Sequence, residues 1–454
     1  MMIDNVEDKR SLVGKRFVFE TLGCKLNFSE SSHLSRALIE KGMKVADSGE
    51  VADICLVNTC SVTEVAEKKG RQLVRRLHRE HPGARIVVTG CYAQLNPEVF
   101  LSLEGVDLII GARDKGRLLE YIEGLESRGV EGHLVHTPIE EVESFEASIS
   151  SEGRTRHFLK VQDGCDYRCS YCTIPKARGK SRNGTIKELV ELARDVALSG
   201  GREIVLVGVN VGDFGRSTGE KFIDLLRALD EVEGIERYRI SSIEPNLITD
   251  EIIRFVSHSK RFAPHFHIPL QSGSDDVLKL MRRRYNRSLF KHKVSLIKEI
   301  MPEAFIGVDV IVGMRGELDE YFEDGLHFIS ELPISKLHVF SYSERPDTDA
   351  LKIQPIIAPE IKHQRSQRLL ELSDNKHIGF VRSQLGTQGR VLVEHHASGT
   401  DGQCLYGYTA NYIRVRLPFR PNMEGRLVEV KLHEIIEGDG VVRGSYIDDD
   451  ERPE

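Results

Sequence analysis

The sequence predicts an α/β chain in three parts: an N-terminal parallel α/β sheet domain, a central partial (β/α)6 barrel and a small C-terminal all-β barrel. Three observations predict it. Strand-like and helix-like runs alternate from Lys15 to about Gly124, and again from His157 onward. Close-spaced β-rich pieces with Gly turns occupy the end of the chain. The 454 residues suit about three domains of roughly 150 residues each.

The N-terminal part, 14–125, is built strand by strand. RFVFETLG reads as a strand, with a helix through SESSHLSRALIEKG after it. ADICLVNTC is the next strand, followed by the helix TEVAEKKGRQLVRRLHRE. ARIVVTGC precedes NPEVFLSL, and VDLIIG precedes a helix ending near Gly124. Such βα units give a parallel sheet. Residues 126–153 are acidic and Ser-rich and read as a linker with room for one strand. Within 154–383 six strand candidates follow: HFLKVQDG, REIVLVGVN, ERYRISSI, HFHIPLQ, FIGVDVIVG and KLHVFSYS. Helical patterns such as TIKELVELARDVALSGG, KFIDLLRALDEV and LFKHKVSLIKEIM separate them. Six units are too few for a closed eight-fold barrel, so the barrel is partial. A helical connector, APEIKHQRSQRLLELSDNKHIGFVRSQLG, leads to 384–447, where GRVLVEHHASG, QCLYGYTANYIRVRLP and GRLVEVKLHEIIEGDGVVRGSYI predict the small barrel. The acidic tail DDDERPE reads as frayed.

Composition bounds the function. Apolar residues at 40% and charged residues at 29% mark a globular chain. No apolar run approaches the ~18 residues of a membrane span, and the charged start MMIDNVEDKRSLVGKRF has no signal-peptide core. The expectation is a soluble cytoplasmic protein without a membrane partner. In that compartment the eight cysteines, at 24, 55, 60, 91, 165, 169, 172 and 404, point to metal or catalysis rather than disulfides. A net charge of −7 speaks against a nucleic-acid partner only weakly, because local patches decide.

In VQDGCDYRCSYCTIP, the thiols of Cys165, Cys169 and Cys172 are packed too closely for chance. Three thiolates leave one iron of a [4Fe–4S] cluster open to a small ligand. A structural zinc would want a fourth ligand, and the nearest histidine, His157, lies upstream on the strand. Cys24, Cys60 and Cys91 have no such local knuckle, but each follows a predicted parallel strand. Such strand ends line one crevice, so the three thiols are expected to converge there. The plainer alternative is three small buried residues at strand ends. Cys55, inside a strand, and Cys404, in the terminal barrel, read as packing.

Cys-x3-Cys-x2-Cys directly after the first strand of a partial βα barrel resembles the signature of the radical S-adenosylmethionine (SAM) enzymes. The resemblance implies that SAM chelates the open iron and is split to a 5′-deoxyadenosyl radical. It assigns Gly200, Gly201 and Glu203 of SGGREIVLVG to the methionyl amine, and Ser242 and Glu244 of SSIEP to further SAM contacts. It also places VDVIVGMRGE and Tyr171 beside the adenine. From residues alone, glycines before a strand are usually only a turn. GYTANYIRVRL is similar to a TRAM domain, an RNA-binding barrel. Together the three parts resemble the methylthiotransferase family along nearly the whole chain. That implies two [4Fe–4S] clusters, on Cys24, Cys60 and Cys91 and on Cys165, Cys169 and Cys172. The first would carry an exogenous sulfur or methylthio group. One SAM would supply methyl and another the radical. The family has branches for isopentenyladenosine in tRNA, a ribosomal-protein aspartate, and threonylcarbamoyladenosine beside the anticodon. TLGCKLNFSES, NTCSVTEVAEKKGRQ and VQDGCDYRCSYCTIPKARGKSRN look most like the third. The alternative from another class is a non-catalytic RNA-binding iron–sulfur protein.

Threonylcarbamoyl carries a carboxylate, and Arg315 in GMRGE is a candidate to hold it by a bidentate pair. Its plainer reading is a surface arginine. Two departures from the family stand out: Leu318 where Thr is common and Asp347 where Gly is common. The expected partner is the tRNA anticodon stem-loop, with the target base splayed out. Eight cations surround the cysteine triplet: Arg154, Arg156, Lys160, Arg168, Lys176, Arg178, Lys180 and Arg182, against Asp163 and Asp166. They read either as a solvated surface or as a site for an anionic substrate or cofactor. Arg414, Arg416 and Arg420 are candidates for phosphates. Tyr406, Tyr408 and Tyr412 are candidates to stack on bases, unless strand alternation turns them inward. Arg282, Arg283 and Arg284 read as added surface charge or a solvated helix end. No residue pattern identifies a sulfur donor or an electron donor.

Overall fold

The structure, a computed structural model, describes residues 12–61, 63–112, 114–128, 133–150, 155–399, 402–436 and 438–447. The tail DDDERPE, Arg154 and parts of the expected linker lie outside the described residues. The chain divides into two compact units. One comprises residues up to 152 with 162–167 and 173–184; the other comprises 153–161, 168–172 and 185 onward.

In the first unit six strands form one parallel sheet: β1 (Arg16–Thr21), β2 (Lys44–Val45), β3 (Ile54–Thr59), β4 (Arg85–Gly90), β5 (Val106–Ile110) and β6 (His133–Val135). Their order is β2-β1-β3-β4-β5-β6. The central strands ICLVNT and RIVVTG are buried almost throughout, as parallel strands covered on both faces must be. Phe17, Leu34, Leu38, Leu56 and Leu108 pack on one face, and Cys55, Val57, Val74, Leu77, Val88 and Phe100 on the other. Cys55 is thus core. Helix Lys25–Glu40 follows β1, and helix Glu64–Glu80 follows β3. Thr63 caps the second by accepting from the Ala66 amide at 3.2 Å. Part of the expected linker belongs to this unit: β6 pairs with β5 and covers its open edge.

Further along come β7 (Ser148–Ile149), β8 (Arg156–Lys160) and the antiparallel pair β9 (Gln162–Asp163) and β10 (Arg182–Asn183). All but β8 belong to the first unit.

In the second unit β8 lies beside β11 (Glu203–Val207) and β12 (Arg237–Ile240). Beyond them run β13 (His265–Gln271), β14 (Phe305–Val312) and β15 (Lys336–Ser341), again parallel. Isolated bridges, Tyr238 to Phe262 and Ser242 to His267, join the two halves. The six expected strands therefore form an open barrel in chain order. Helix Pro359–Ser383 covers β15, where the Ser373 hydroxyl accepts from the Leu337 amide at 3.0 Å.

A closed barrel ends the chain: β16 (Gln388–Gly399), β17 (Gly402–Thr409), β18 (Arg414–Pro418), β19 (Leu427–Ile435) and β20 (Val442–Tyr446). Val391, Val393, Leu405, Val415, Leu417 and Val430 fill it. Cys404 is buried, in line with packing. The barrel docks at the N-terminal ends of β8, β11 and β12. There Arg239 donates to the carbonyls of Thr409 (2.8 Å) and Ala410 (2.6 Å), Arg237 to that of Arg390 (2.7 Å), and Arg156 pairs with Glu394 (2.6 Å). No helix among the described residues is long and apolar enough to cross a membrane.

Candidate active site

The strands that precede Cys24, Cys60 and Cys91 are β1, β3 and β4, three neighbours in the sheet. Hydrogen bonds lash their ends together. Asn27 donates to the carbonyls of Leu22 (2.8 Å) and Thr59 (3.2 Å). The Thr59 hydroxyl donates to the Thr89 carbonyl (2.6 Å) and accepts from the Ala93 amide (3.1 Å). Gly23 adopts φ +103°, and a Cβ there would stand 2.8 Å from the Cys60 sulfur, so only glycine lets the Cys24 turn pass Cys60. Cys24 is the N-cap of helix Lys25–Glu40, where the helix dipole favours a thiolate. Desolvation nevertheless pushes the Cys24 thiol up, opposed by Arg178 and reinforced by charge on Cys91. Arg178 donates from Nε to the Cys91 sulfur at 3.3 Å.

Cys165 belongs to the first unit, and Cys169 and Cys172 to the second. The Cys165 sulfur accepts from the Tyr167 amide at 3.4 Å. In the second unit Arg283 is the hub. Its Nη1 reaches the Cys169 sulfur at 3.1 Å and the Tyr171 hydroxyl at 3.5 Å, while Nη2 pairs with Glu244. Burial raises the Cys169 thiol and the Glu244 carboxyl, and Arg283 pulls both back. The structure thus gathers three of the expected residues, Cys169, Tyr171 and Glu244, around a cation read from sequence as surface charge. Ser242 holds His267 Nδ1 at 2.9 Å, and His267 Nε2 meets Asp309 at 2.7 Å. His267 and Asp309 escaped sequence reasoning because a polar residue every second position in a strand is unremarkable there.

Other expectations are corrected. Gly200, Gly201 and Glu203 do not reach the cysteine end of the barrel. Glu203 pairs in register with Arg156 at the start of β8, whereas the cysteines follow the end of β8. Gly200, at φ +87°, ends helix Ile186–Leu198, with its amide on the Ala197 carbonyl. A Cβ on Gly201 would strike His157 Nε2 at 2.6 Å. Buried Glu203 pairs with Arg237 (3.0 Å) and Arg239 (2.8 Å), a structural ion network. Tyr408 and Tyr412 lie against Arg156, and Tyr412 also against Arg239, so both face the barrel rather than a base. Tyr406 instead stacks on His395 beside Arg414 on the outer wall. The basic run is no uniform patch: Arg168, Lys176 and Lys180 are exposed, while Lys160, Arg178 and Arg182 are buried. Arg315 pairs through Nε with Glu344 at 2.7 Å and donates to the Leu351 carbonyl.

The model described as uncharacterized protein family UPF0004 matches residues 16–111, and that of the radical SAM superfamily matches 159–329. The threonylcarbamoyladenosine tRNA methylthiotransferase MtaB of Bacillus subtilis is 36% identical over 91% of this chain and 93% of its own. Its namesake from Aquifex aeolicus is 38% identical over 83% and 92%. The chain belongs to the radical SAM tRNA methylthiotransferase family. This methylthiotransferase is also 33% identical, over 86% of its length and 85% of the relative, to a tRNA-2-methylthio-N(6)-dimethylallyladenosine synthase of Helicobacter hepaticus. Among solved structures, the radical SAM methyltransferase TsrM of Kitasatospora setae shares the fold, with a TM-score of 0.56 at 13% identity over 74% of each chain.

A radical SAM methylthiotransferase works with SAM and iron–sulfur chemistry. The donors present fit such a group. Both sets are thiols, the ligands iron–sulfur clusters take. Cys169 is half-buried and its thiol is raised by desolvation, a penalty that metal charge would relieve, while Cys24 is exposed and open to a ligand.

Proposed function

We propose that this methylthiotransferase adds a methylthio group to C2 of N6-threonylcarbamoyladenosine, next to the anticodon, with two [4Fe–4S] clusters. The observation that carries the reading is the placement of Cys24, Cys60 and Cys91 at three neighbouring strand ends, a three-thiol set additional to that of the radical SAM motif. When bound, a [4Fe–4S] centre with SAM supplies one-electron cleavage of the sulfonium, and a second centre carries the sulfur. The protein's part is positional. Cys165, Cys169 and Cys172 hold one centre by three thiolates and leave a place for SAM. Arg283 steadies Cys169, and Tyr171, Ser242 and Glu244 line the approach. Cys24, Cys60 and Cys91 hold the other centre, again with one place open.

Arg414, Arg416 and Arg420, with Tyr406, offer phosphate and stacking contacts to the anticodon stem-loop. The sulfur donor and the electron donor are left unassigned, and acting on tRNA implies a cytoplasmic location. By function we divide the chain at 14–125, 154–383 and 384–447, with residues 133–150, 162–167 and 173–184 packing as part of the first compact unit. Arg315 is assigned to the threonylcarbamoyl carboxylate, with its Nε paired to Glu344 at 2.7 Å. Arg315→Leu should reduce threonylcarbamoyl modification far more than SAM cleavage; equal modification would remove the assignment.

A second reading places the same chemistry on N6-isopentenyladenosine. It is favoured by Glu344 already occupying Arg315, and by the dimethylallyladenosine relatives at 30–33% identity. Relatives named for threonylcarbamoyladenosine stand at 34–38%. Mass spectrometry of tRNA nucleosides from cells with and without the gene separates the two. A gene-dependent methylthio group on threonylcarbamoyladenosine is expected. Its appearance on isopentenyladenosine alone would overturn the substrate assignment.

A further inference from the structure

The first unit buries a cation that the functional reading leaves unused. Arg178 ends the short helix Ile174–Arg178, and its side chain is only 5% exposed. Each N–H of its fork has an acceptor. Nε reaches the Cys91 sulfur at 3.3 Å. Nη1 reaches Glu30 at 3.0 Å and Asp163 at 2.9 Å, and Nη2 reaches Asn27 at 2.6 Å and Glu30 at 3.4 Å. Asp163 also accepts from Arg182 at 3.1 Å and from the Gly164 amide at 2.8 Å, on the turn into Cys165. Lys115 closes the network on Glu30 at 2.7 Å. Among the described residues, the buried cations Arg178, Arg182 and Lys115 share the carboxylates Glu30 and Asp163, and of the three it is Arg178 that donates to a cysteine sulfur.

We infer that Arg178 is a positioning residue for the Cys24–Cys60–Cys91 centre, raising its reduction potential through the bond to Cys91, and that Asp163 tempers it. The physical reason is direct. Donors to a cluster's sulfurs and nearby positive charge favour the reduced, more negative state. Lysine keeps the charge, but as a compact ammonium it cannot span Cys91, Asn27, Glu30 and Asp163 together. The inference rests on those three cysteines binding an iron–sulfur centre.

The test uses the full-length chain with Cys165, Cys169 and Cys172 all changed to Ala, reconstituted with iron and sulfide. Its centre is titrated at poised potentials by electron paramagnetic resonance. Without further change, absence of a centre would fail the cluster reading itself. With a centre present, Arg178→Lys is expected to lower the reduced-to-oxidised ratio at fixed poise about tenfold, equal to about 59 mV for a one-electron couple. Asp163→Asn, which uncovers the Arg178 charge, is expected to shift the ratio the other way. Opposite signs from adjacent substitutions are not what loss of structure produces. Shifts of the same sign, or none, in variants that retain iron would overturn the role of Arg178. Should Arg178→Lys fail to hold iron, Asp163→Asn alone decides: no upward shift overturns it.

Discussion

The two thiol sets use one device on two different backbones. Cys165, Cys169 and Cys172 sit within eight residues of one loop, so chain connectivity alone keeps them near one another. Cys24, Cys60 and Cys91 come from three separate βα turns, and only the sheet and its lashings by Asn27 and Thr59 bring them together. Yet in each set one sulfur accepts from a buried arginine that also binds carboxylate: Arg283 with Glu244 at Cys169, and Arg178 with Glu30 and Asp163 at Cys91. The difference is in the counter-charge. One acid answers Arg283, whereas Arg178 shares two acids with two further cations. A local knuckle needs little scaffolding; a set drawn from distant turns is braced by a buried charge network.

The strongest way to break the comparison is to remove each set in turn and follow methylthiolated product against 5′-deoxyadenosine. Cys60→Ala should abolish methylthiolation while SAM cleavage persists. Cys172→Ala should abolish both. If Cys60→Ala left methylthiolation intact, the first set would have no part in sulfur transfer.

The next effect concerns Arg283. Arg283→Gln leaves Glu244 buried without its cation and should cost about 3–5 kcal/mol of stability. SAM cleavage should fall about tenfold or more, since a charge-assisted bond to Cys169 is also lost. A variant with normal cleavage and normal melting would show that Arg283 is incidental to the site.

Glu203 serves as a control at the opposite end of the same strands. Burial works against its charge, but Arg239 and Arg237 outweigh that and hold its carboxyl below the usual range. Its contribution is thus present above the ordinary carboxylate pKa and is lost as pH falls through the lowered folded value. Burial and the neighbouring Arg239 already bring Arg237 down to about 10. Glu203→Gln should strand both guanidiniums, costing about 3 kcal/mol and flattening the acid side of the stability profile. The ratio of methylthiolated product to 5′-deoxyadenosine should not change. A changed ratio would return Glu203 to the SAM site.

The smallest effect lies at Leu318, the N-cap of helix Asp319–Glu331, where no side chain caps the helix. Leu318→Thr should supply that acceptor and add about 1 kcal/mol to thermal stability, with the product ratio untouched. The other departure has a different cause: Asp347 sits at φ +56°, a conformation glycine adopts freely and Asp tolerates better than most residues.

The sequence carried the layout of these sites better than their electrostatics. Alternating βα patterns placed all six barrel strands, and the position of each cysteine after a strand anticipated their location at three neighbouring strand ends of one parallel sheet. What stayed hidden was which cations turn inward. Arg178 and Arg283 stand in runs such as KARGKSR and MRRRY, and a run of like charge, whether read as solvated surface or as an anion site, does not say which of its members is buried. Only tertiary partners, Glu30, Asp163 and Glu244, make burial of those guanidiniums affordable. Gly200, Gly201 and Glu203 misled for a related reason: a Gly-Gly pair before a strand serves a helix C-terminus as readily as a ligand, and sequence does not say which end of the barrel it faces. For Tyr408 and Tyr412 the sequence left base stacking and an inward turn both open, because the docking of one barrel on another leaves no mark in strand alternation.

The central claim is two separate thiol-held clusters, and iron counting tests it most directly. The reconstituted full-length chain should hold about eight irons, and each triple Cys→Ala variant about four, with the iron–sulfur spectrum retained. About four irons in the unaltered chain, with none left after Cys165, Cys169 and Cys172 are removed, would contradict it.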